Sequence, residues 1–159
     1  MTPFAVAGVQ MHVDALTDNI EAMAQRLEVL FARYPWVQMV LFSELCVYGP
    51  LLQFAQPFPN AAEVRFQELA RHYGIWLIPG SMFEKAQDGL IYNTASVINP
   101  QGEVVTRHRK MFPFRPLEVG VTGGKQFTIF DVPEVGRFGL SICYDMWFPE
   151  TTRQLTAQG

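Results

Sequence analysis

Val37-Gln38-Met39-Val40-Leu41-Phe42-Ser43-Glu44 decides the architecture. Apart from Gln38, every residue from Val37 to Phe42 is apolar. A strand alternates its side chains between two faces, so a strand here is apolar on both and needs cover on both. The run reads most simply as a central strand, and it delivers Ser43 and Glu44 at its end.

The pattern on either side is an alternation of helices and strands. Upstream, Phe4 to Met11 reads as a short buried strand. Asp18-Asn19-Ile20-Glu21 has the spacing of a helix N-cap with a reciprocal acid. Ile20, Met23, Leu27, Leu30, Phe31 and Tyr34 follow on one helical face, until Pro35 ends it. Downstream, Leu45 to Pro59 is a loop rich in Pro, Gly and aromatic residues. Asn60-Ala61-Ala62-Glu63 repeats the capping pattern, Phe66, Leu69, Ala70 and Tyr73 form a second helical stripe, and Gly74 closes it. Strands are expected over Ile75–Phe83, Ile91–Ile98, Glu103–Arg109, Phe127–Val132 and Arg137–Ile142. Turns are expected at Asp88-Gly89 and Asn99-Pro100-Gln101-Gly102. Met111 to Lys125 is irregular, and Pro149 suits the first turn of a closing helix that starts near Phe148. The order predicts an α/β (or α+β) layer protein, read as a single domain over residues 1–159 with no repeat or linker.

The bulk numbers exclude several classes. Of 159 residues, 49% are apolar and 17% charged, which argues a folded body rather than disorder. A net charge of −3 gives no general attraction to nucleic acid or to acidic lipid. No run is long enough to span a membrane, and Thr2 to Gly8 lacks the basic and apolar regions of a secretory leader, so the expected location is the cytoplasm. Two cysteines, Cys46 and Cys143, are too few for a disulfide framework and fit a reducing compartment.

The chemistry concentrates in Arg137-Phe138-Gly139-Leu140-Ser141-Ile142-Cys143-Tyr144-Asp145. Cys143 shares a strand face with Gly139 and Ser141 and stands where a strand ends and a helix begins. Helix-start amides would lower the thiol pKa and could hold an oxyanion. From position alone two readings stay open: a small core residue, or a nucleophile. Glu44 is either a loop acid or a partly desolvated general base. Lys110 closes Arg107-His108-Arg109-Lys110, where a solvated basic cluster is the reading for Arg107 and Arg109. An ammonium at Lys110 would stabilise a developing alkoxide if the site is dry. Glu118, alone, is a loop acid that could pair with Arg115. His12, His72 and His108 show no metal-ligand spacing, and surface roles are expected for all three. Gly120 and Gly123-Gly124 do not make a phosphate loop. Tyr48, Phe54, Phe58, Phe112, Phe114 and Trp147 cluster in loops near the candidate residues and are candidates to line an apolar pocket.

Phe42-Ser43-Glu44 with Tyr48-Gly49, Tyr92-Asn93-Thr94-Ala95, Arg109-Lys110-Met111-Phe112, and Cys143-Tyr144-Asp145 with Phe148-Pro149-Glu150 together resemble the nitrilase superfamily of carbon–nitrogen hydrolases. The resemblance implies part of a four-layer α-β-β-α sandwich. It also implies a catalytic set of Glu44, Lys110 and Cys143, with Glu118 as a second glutamate that positions substrate or holds Lys110. Oxyanion binding falls to Lys110 and the Tyr144 backbone N–H, and no metal or organic cofactor is implied. Tyr144-Asp145 is similar to the amidase and carbamoylase branches, whereas true nitrilases more often carry Trp-Glu there. The implied substrate is therefore a small amide or N-carbamoyl compound. Trp147 stands where many members have Arg, which favours a neutral or apolar substrate.

Members of that family are considerably longer, and the strands after the nucleophile helix complete their sandwich. Expected consequences are that this chain lacks the C-terminal portion, or that another chain covers it. A homodimer or higher oligomer is expected in solution. The alternative function is a non-catalytic relative that acts as a binding or assembly module. A redox pair of Cys46 with Cys143 is a third reading, without a CxxC-type motif behind it.

Overall fold

A computed structural model describes residues 3–159; the part of the leader reading that rests on Met1 and Thr2 lies outside them. Among the described residues there are eight strands and three α-helices, in the order β1 (Val6–Val9), α1 (Ile20–Arg33), β2 (Met39–Phe42), α2 (Ala61–Tyr73), β3 (Trp76–Ile78), β4 (Met82–Lys85), β5 (Ile91–Ile98), β6 (Val104–Arg109), β7 (Thr128–Val132), β8 (Gly136–Leu140) and α3 (Pro149–Ala157). Short 3-10 helices cover Leu52–Phe54 and Cys143–Trp147.

Two sheets form. The larger runs β1-β2-β3, in parallel, and continues antiparallel into β5, whose other edge carries β6. β3 and β4 both pair with the same edge of β5, through Leu77↔Ile98 and then Met82↔Thr94. The single strand expected over Ile75–Phe83 is thus one path broken at Pro79-Gly80-Ser81. Proline cannot donate to the ladder, and Gly80 turns through φ +72. The smaller sheet is the β7–β8 hairpin, in register from Thr128↔Leu140 to Val132↔Gly136.

The two-faced apolarity of β2 is satisfied. Val40 and Phe42 pack with Leu77, Met23 and Leu27 of α1, and Phe66 and Leu69 of α2. Met39, with Leu41 packed against it, faces Trp76, Ile78, Ala95 and Val97 and meets Phe130, Val132, Leu140 and Ile142 of the hairpin side. A Cβ on Gly139 would lie 2.9 Å from Leu155 Cδ1, so α3 lies directly on the outer face of β8. The layer order is helices, sheet, sheet, helix, as expected, with only two strands in the second sheet. Burying side chains such as Met23, Leu27 and Phe66 is worth about 1.5–3 kcal/mol each.

Several local expectations are corrected. β1 is an edge strand rather than a buried one, with Val6 52% exposed. The expected Asp18–Glu21 capping box does not form: α1 starts at Ile20, Asp18 Oδ1 accepts the Ile20 N–H, Glu21 pairs with Arg65 of α2, and the Asn19 side chain is drawn inward to the Asp14 backbone and the Val47 carbonyl. Asn60 does cap α2, accepting the Glu63 N–H at 3.0 Å, and Gly74 closes that helix in the left-handed region. Glu63 does not return the bond. It is buried, and it receives Ser96 Oγ and both Nε and Nη2 of Arg107. Arg109 likewise grips Glu84 through Nε and Nη2, and Thr94 donates to the same carboxylate. The expected solvated basic cluster is therefore two bidentate ion pairs that tie β6 to α2 and β4. Such pairing is what lets two carboxylates be buried there at all.

Candidate active site

Glu44, Lys110 and Glu118 arrive from three strand or loop ends. β2 ends at Phe42, and the chain then turns through Ser43, Glu44 and Leu45, the last with φ 53. This turn presses on Gly80, where a Cβ would fall 2.0 Å from the Ser43 carbonyl oxygen. Only glycine admits that approach, and only glycine tolerates its φ without strain. Ser81 Oγ accepts the Leu45 N–H at 2.9 Å and completes the anchor. Lys110 directly follows β6, its N–H bonded to the Asn93 carbonyl of β5. The loop that follows returns at Gly124, whose N–H meets the Lys110 carbonyl at 2.8 Å and whose missing Cβ would fall 2.2 Å from the Arg109 oxygen. Gly123-Gly124 therefore close a loop onto β6, and the loop carries Glu118.

Lys110 Nζ is the centre of the group. It donates to Glu44 Oε1 at 2.8 Å and to Glu118 Oε2 at 2.6 Å. The lysine is 1% exposed, Glu118 9% and Glu44 27%, so the open side of the cluster is Glu44. Burial works against the ammonium, but the hydrogen bonds to Glu118 and Glu44 outweigh it and hold its pKa above the ordinary lysine value. Asn93, one residue of the Tyr92–Ala95 motif with no role expected of it, donates through Nδ2 to Glu44 Oε1 at 2.8 Å and to Glu118 Oε1 at 3.0 Å. Its Oδ1 has no partner among the described residues. An asparagine inside the apolar strand Ile91–Ile98, where that residue type is disfavoured, was the available signal. Glu118 also accepts the Phe114 N–H, and Arg115 binds the Glu118 and Val121 carbonyls rather than the Glu118 carboxylate.

Cys143 opens a 3-10 helix just past β8 with φ 48, a left-handed conformation unusual for a residue with a side chain. It lines a cavity of about 100 Å³ with Glu44, Leu41, Phe42, Ile78, Gly80, Ser81, Ala95 and Leu140 through Ile142. The residue is exposed. Even so, partial desolvation of the sulfur, then the neighbouring Glu44 carboxylate, push the thiol pKa up, while Lys110 pulls it down. The expected lowering by helix-start amides is overturned: a carboxylate beside a thiol favours the neutral form. Cys46 is buried, its Sγ 3.5 Å from the Pro79 carbonyl, and burial pushes its pKa to about 12. Tyr144 follows Cys143 in the first turn of the same short helix, where backbone N–H groups lack intrahelical partners.

The loop aromatics divide. Phe112, Phe114, Tyr144, Trp147 and Phe148 form one contact chain, with Phe112–Phe148 centroids 4.3 Å apart and Phe114–Tyr144 5.0 Å apart. Tyr48 and Phe58 pack on the helix-side core instead, and Arg107 stacks over Phe58. The cavity walls are mainly aliphatic. His108 is not on the surface. It is 1% exposed, with Nδ1 3.0 Å from Thr128 Oγ1 and Nε2 3.0 Å from Asp145 Oδ2.

In this four-layer fold Glu44 and Cys143 line one small cavity, and Glu44 is held by the buried ammonium of Lys110, which Glu118 shares. The chain belongs to the carbon–nitrogen hydrolase family, whose model matches residues 5–159. It is 29% identical to a formamidase of Helicobacter acinonychis, over 98% of this chain and 51% of that protein. Among solved structures it resembles a carbon–nitrogen hydrolase of Helicobacter pylori, with TM-score 0.85 and 27% identity over 98% of this chain and 56% of that one. An amidase of Nesterenkonia from the nitrilase superfamily has the same fold, with TM-score 0.86 and 24% identity over 98% of this chain and 61% of that one. The chain thus spans about half the length of the curated relatives it matches. No helix among the described residues is long and apolar enough to cross a membrane.

Proposed function

We propose that this chain carries the reaction centre of an amidohydrolase, which cleaves the C–N bond of a small amide or N-carbamoyl compound through a thioester on Cys143. The observation that carries the reading is Lys110 Nζ, buried and shared between Glu44 and Glu118 beside the cavity that Cys143 lines.

The chemistry follows from the protonation states. The thiol is neutral and its neighbour Glu44 is an acceptor, so proton and sulfur move together: Glu44 takes the Sγ–H proton as sulfur attacks the carbonyl carbon. The carbonyl π electrons move onto oxygen, where Lys110 and the Tyr144 N–H supply positive partners. As the intermediate collapses, protonated Glu44 gives its proton to the departing nitrogen, and ammonia or an amine leaves. Water then gives a proton to Glu44 and attacks the thioester. Collapse of this second intermediate expels sulfur, which recovers its proton from Glu44. Glu118 and Asn93 hold Lys110 and Glu44 in place throughout. The cycle uses no metal or organic cofactor.

A cavity of about 100 Å³ favours a short acyl group, in keeping with the formamidase relatives. Met146 and Trp147, together with Leu117 and Val119, are 66–79% exposed near the site, and apolar side chains so placed favour association of the chain, as a homodimer or larger oligomer. Assay against formamide, short aliphatic amides and N-carbamoyl compounds tests the reading. Ammonia release that disappears in Cys143→Ala supports it. A protein that binds such compounds without ever releasing ammonia would instead be a binding or assembly module.

A further inference from the structure

We propose that His108 and Asp145 are positioning residues that set the separation between the Lys110 ammonium and the Cys143 thiol. The proposal rests on the reading of Glu44, Lys110 and Cys143 as one reaction centre. Lys110 directly follows β6 of the larger sheet, whereas Cys143 follows β8 of the hairpin, so the two groups stand on different sheets. Packing of apolar side chains brings the sheets together but does not fix their relative offset to a few tenths of an ångström. Hydrogen bonds do that.

One carboxylate spans the gap. Asp145 Oδ1 accepts the N–H groups of Met111 at 3.0 Å and Phe112 at 2.9 Å, the two residues that follow Lys110. Its Oδ2 accepts the N–H of Ile142, the residue before Cys143, at 3.0 Å, and meets His108 Nε2 at 3.0 Å. Asp145 is fully buried and His108 almost so. Burial opposes the charge on Asp145, but the bonds from His108 and from the Ile142 and Phe112 amides hold its pKa below the usual carboxylate value. The group is therefore an acceptor only, and His108 must donate through Nε2. Neutral His108 is then left with an acceptor at Nδ1, which the Thr128 hydroxyl on β7 satisfies. The chain of contacts Lys110-turn, Asp145, His108, Thr128 crosses between the sheets three times. Neither His108 nor Asp145 lines the cavity, so both act through the residues beside them.

The test is the rate of Cys143 alkylation by iodoacetamide, compared in wild type, His108→Leu, Lys110→Ala and the double variant. Lys110 favours the thiolate, so Lys110→Ala slows alkylation. His108→Leu lets the lysine drift from the sulfur and slows it too, and the double variant is no slower than Lys110→Ala alone. His108→Gln, which keeps a donor toward Asp145, restores most of the rate. On an amide substrate His108→Leu lowers kcat by about tenfold or more with little change in KM, as misplacement of reacting groups does. Wild-type alkylation in His108→Leu, additive slowing in the double variant, or no recovery in His108→Gln overturns the proposal. Should His108→Leu fail to fold, Thr128→Val carries the same test with a smaller slowing, and an unchanged rate there overturns it equally. Wild-type protein that turns over no amide, with the alkylation coupling intact, removes the hydrolase reading and leaves the positioning role standing.

Discussion

Lys110 Nζ lies 2.8 Å from Glu44 Oε1, although the two residues are 66 positions apart in the chain. One directly follows β6 and the other lies in the turn after β2, and β3 and β5 lie between those strands in the sheet. The contact exists because β2 and β6 run in the same direction and finish at the same end of the sheet, where Asn93 of β5 donates to Glu44 Oε1 through Nδ2 and accepts the Lys110 N–H through its carbonyl.

Replacing that lysine removes the cation shared by Glu44 and Glu118 and, on the proposed mechanism, a donor to the oxyanion. Lys110→Ala is expected to lower kcat for an amide by about 10² or more. Steady-state ammonia release, alongside circular dichroism to verify folding, checks it. Near-normal turnover would take Lys110 out of the reaction.

Both cysteines have pKa values raised above that of a free thiol, for different reasons. Cys46 is buried with its pKa near 12, and Cys143 is exposed with its pKa raised by partial desolvation and by Glu44. At neutral pH iodoacetamide should label Cys143 alone, slowly, with a rate that climbs as pH passes above the ordinary cysteine value of about 8.5. Glu44→Gln removes the like charge and should move that climb to lower pH. Peptide mapping of the labelled protein decides. Labelling of Cys46 in folded protein, or a Glu44→Gln profile identical to wild type, would contradict the geometry.

Gly80 is the floor under the Glu44 turn. Gly80→Ala sets a Cβ within clashing distance of the Ser43 carbonyl and forces a side chain into positive φ. The variant should lose about 2 kcal/mol or more of stability, and the survivors should show a larger fall in kcat than in substrate affinity. Urea unfolding and kinetics together check this; a variant as stable and active as wild type would mean that the turn has slack.

Much of this was legible in the letters. The double-sided apolarity of Met39–Phe42 required two covering layers, and both are there. Gly74 and the Asn60 cap marked the ends of α2 because each acts on its own backbone. The misreadings share a cause: they concern residues whose partners are distant in sequence. Arg107, Arg109 and His108 look like a solvated basic run until Glu63, Glu84 and Asp145 arrive from other elements. Asp18 and Glu21 look like a reciprocal cap until Arg65, from α2, takes the Glu21 carboxylate. The thiol pKa was read from the local helix start, while Glu44, brought in by another strand, reverses its direction.

Asp145 links the same network to acid stability. Its folded-state pKa lies below the unfolded value, so its contribution is fully present above about pH 4 and is lost as pH falls through the folded-state pKa. Asp145→Asn lacks this component. Its unfolding free energy, measured in urea from neutral pH downward, should fall less steeply in the acid range than that of wild type. Parallel curves would show that Asp145 is not held ionised by its four neighbours.

The most direct measurement is intact-protein and peptide mass spectrometry after rapid acid quenching of the protein with a short-chain amide. An acyl group carried on the Cys143 peptide, lost with time in wild type, formed far more slowly in Glu44→Gln because that residue also takes the thiol proton, and absent in Cys143→Ala, is the predicted result. Amide turnover with no adduct at Cys143, or turnover that survives Cys143→Ala, would contradict it.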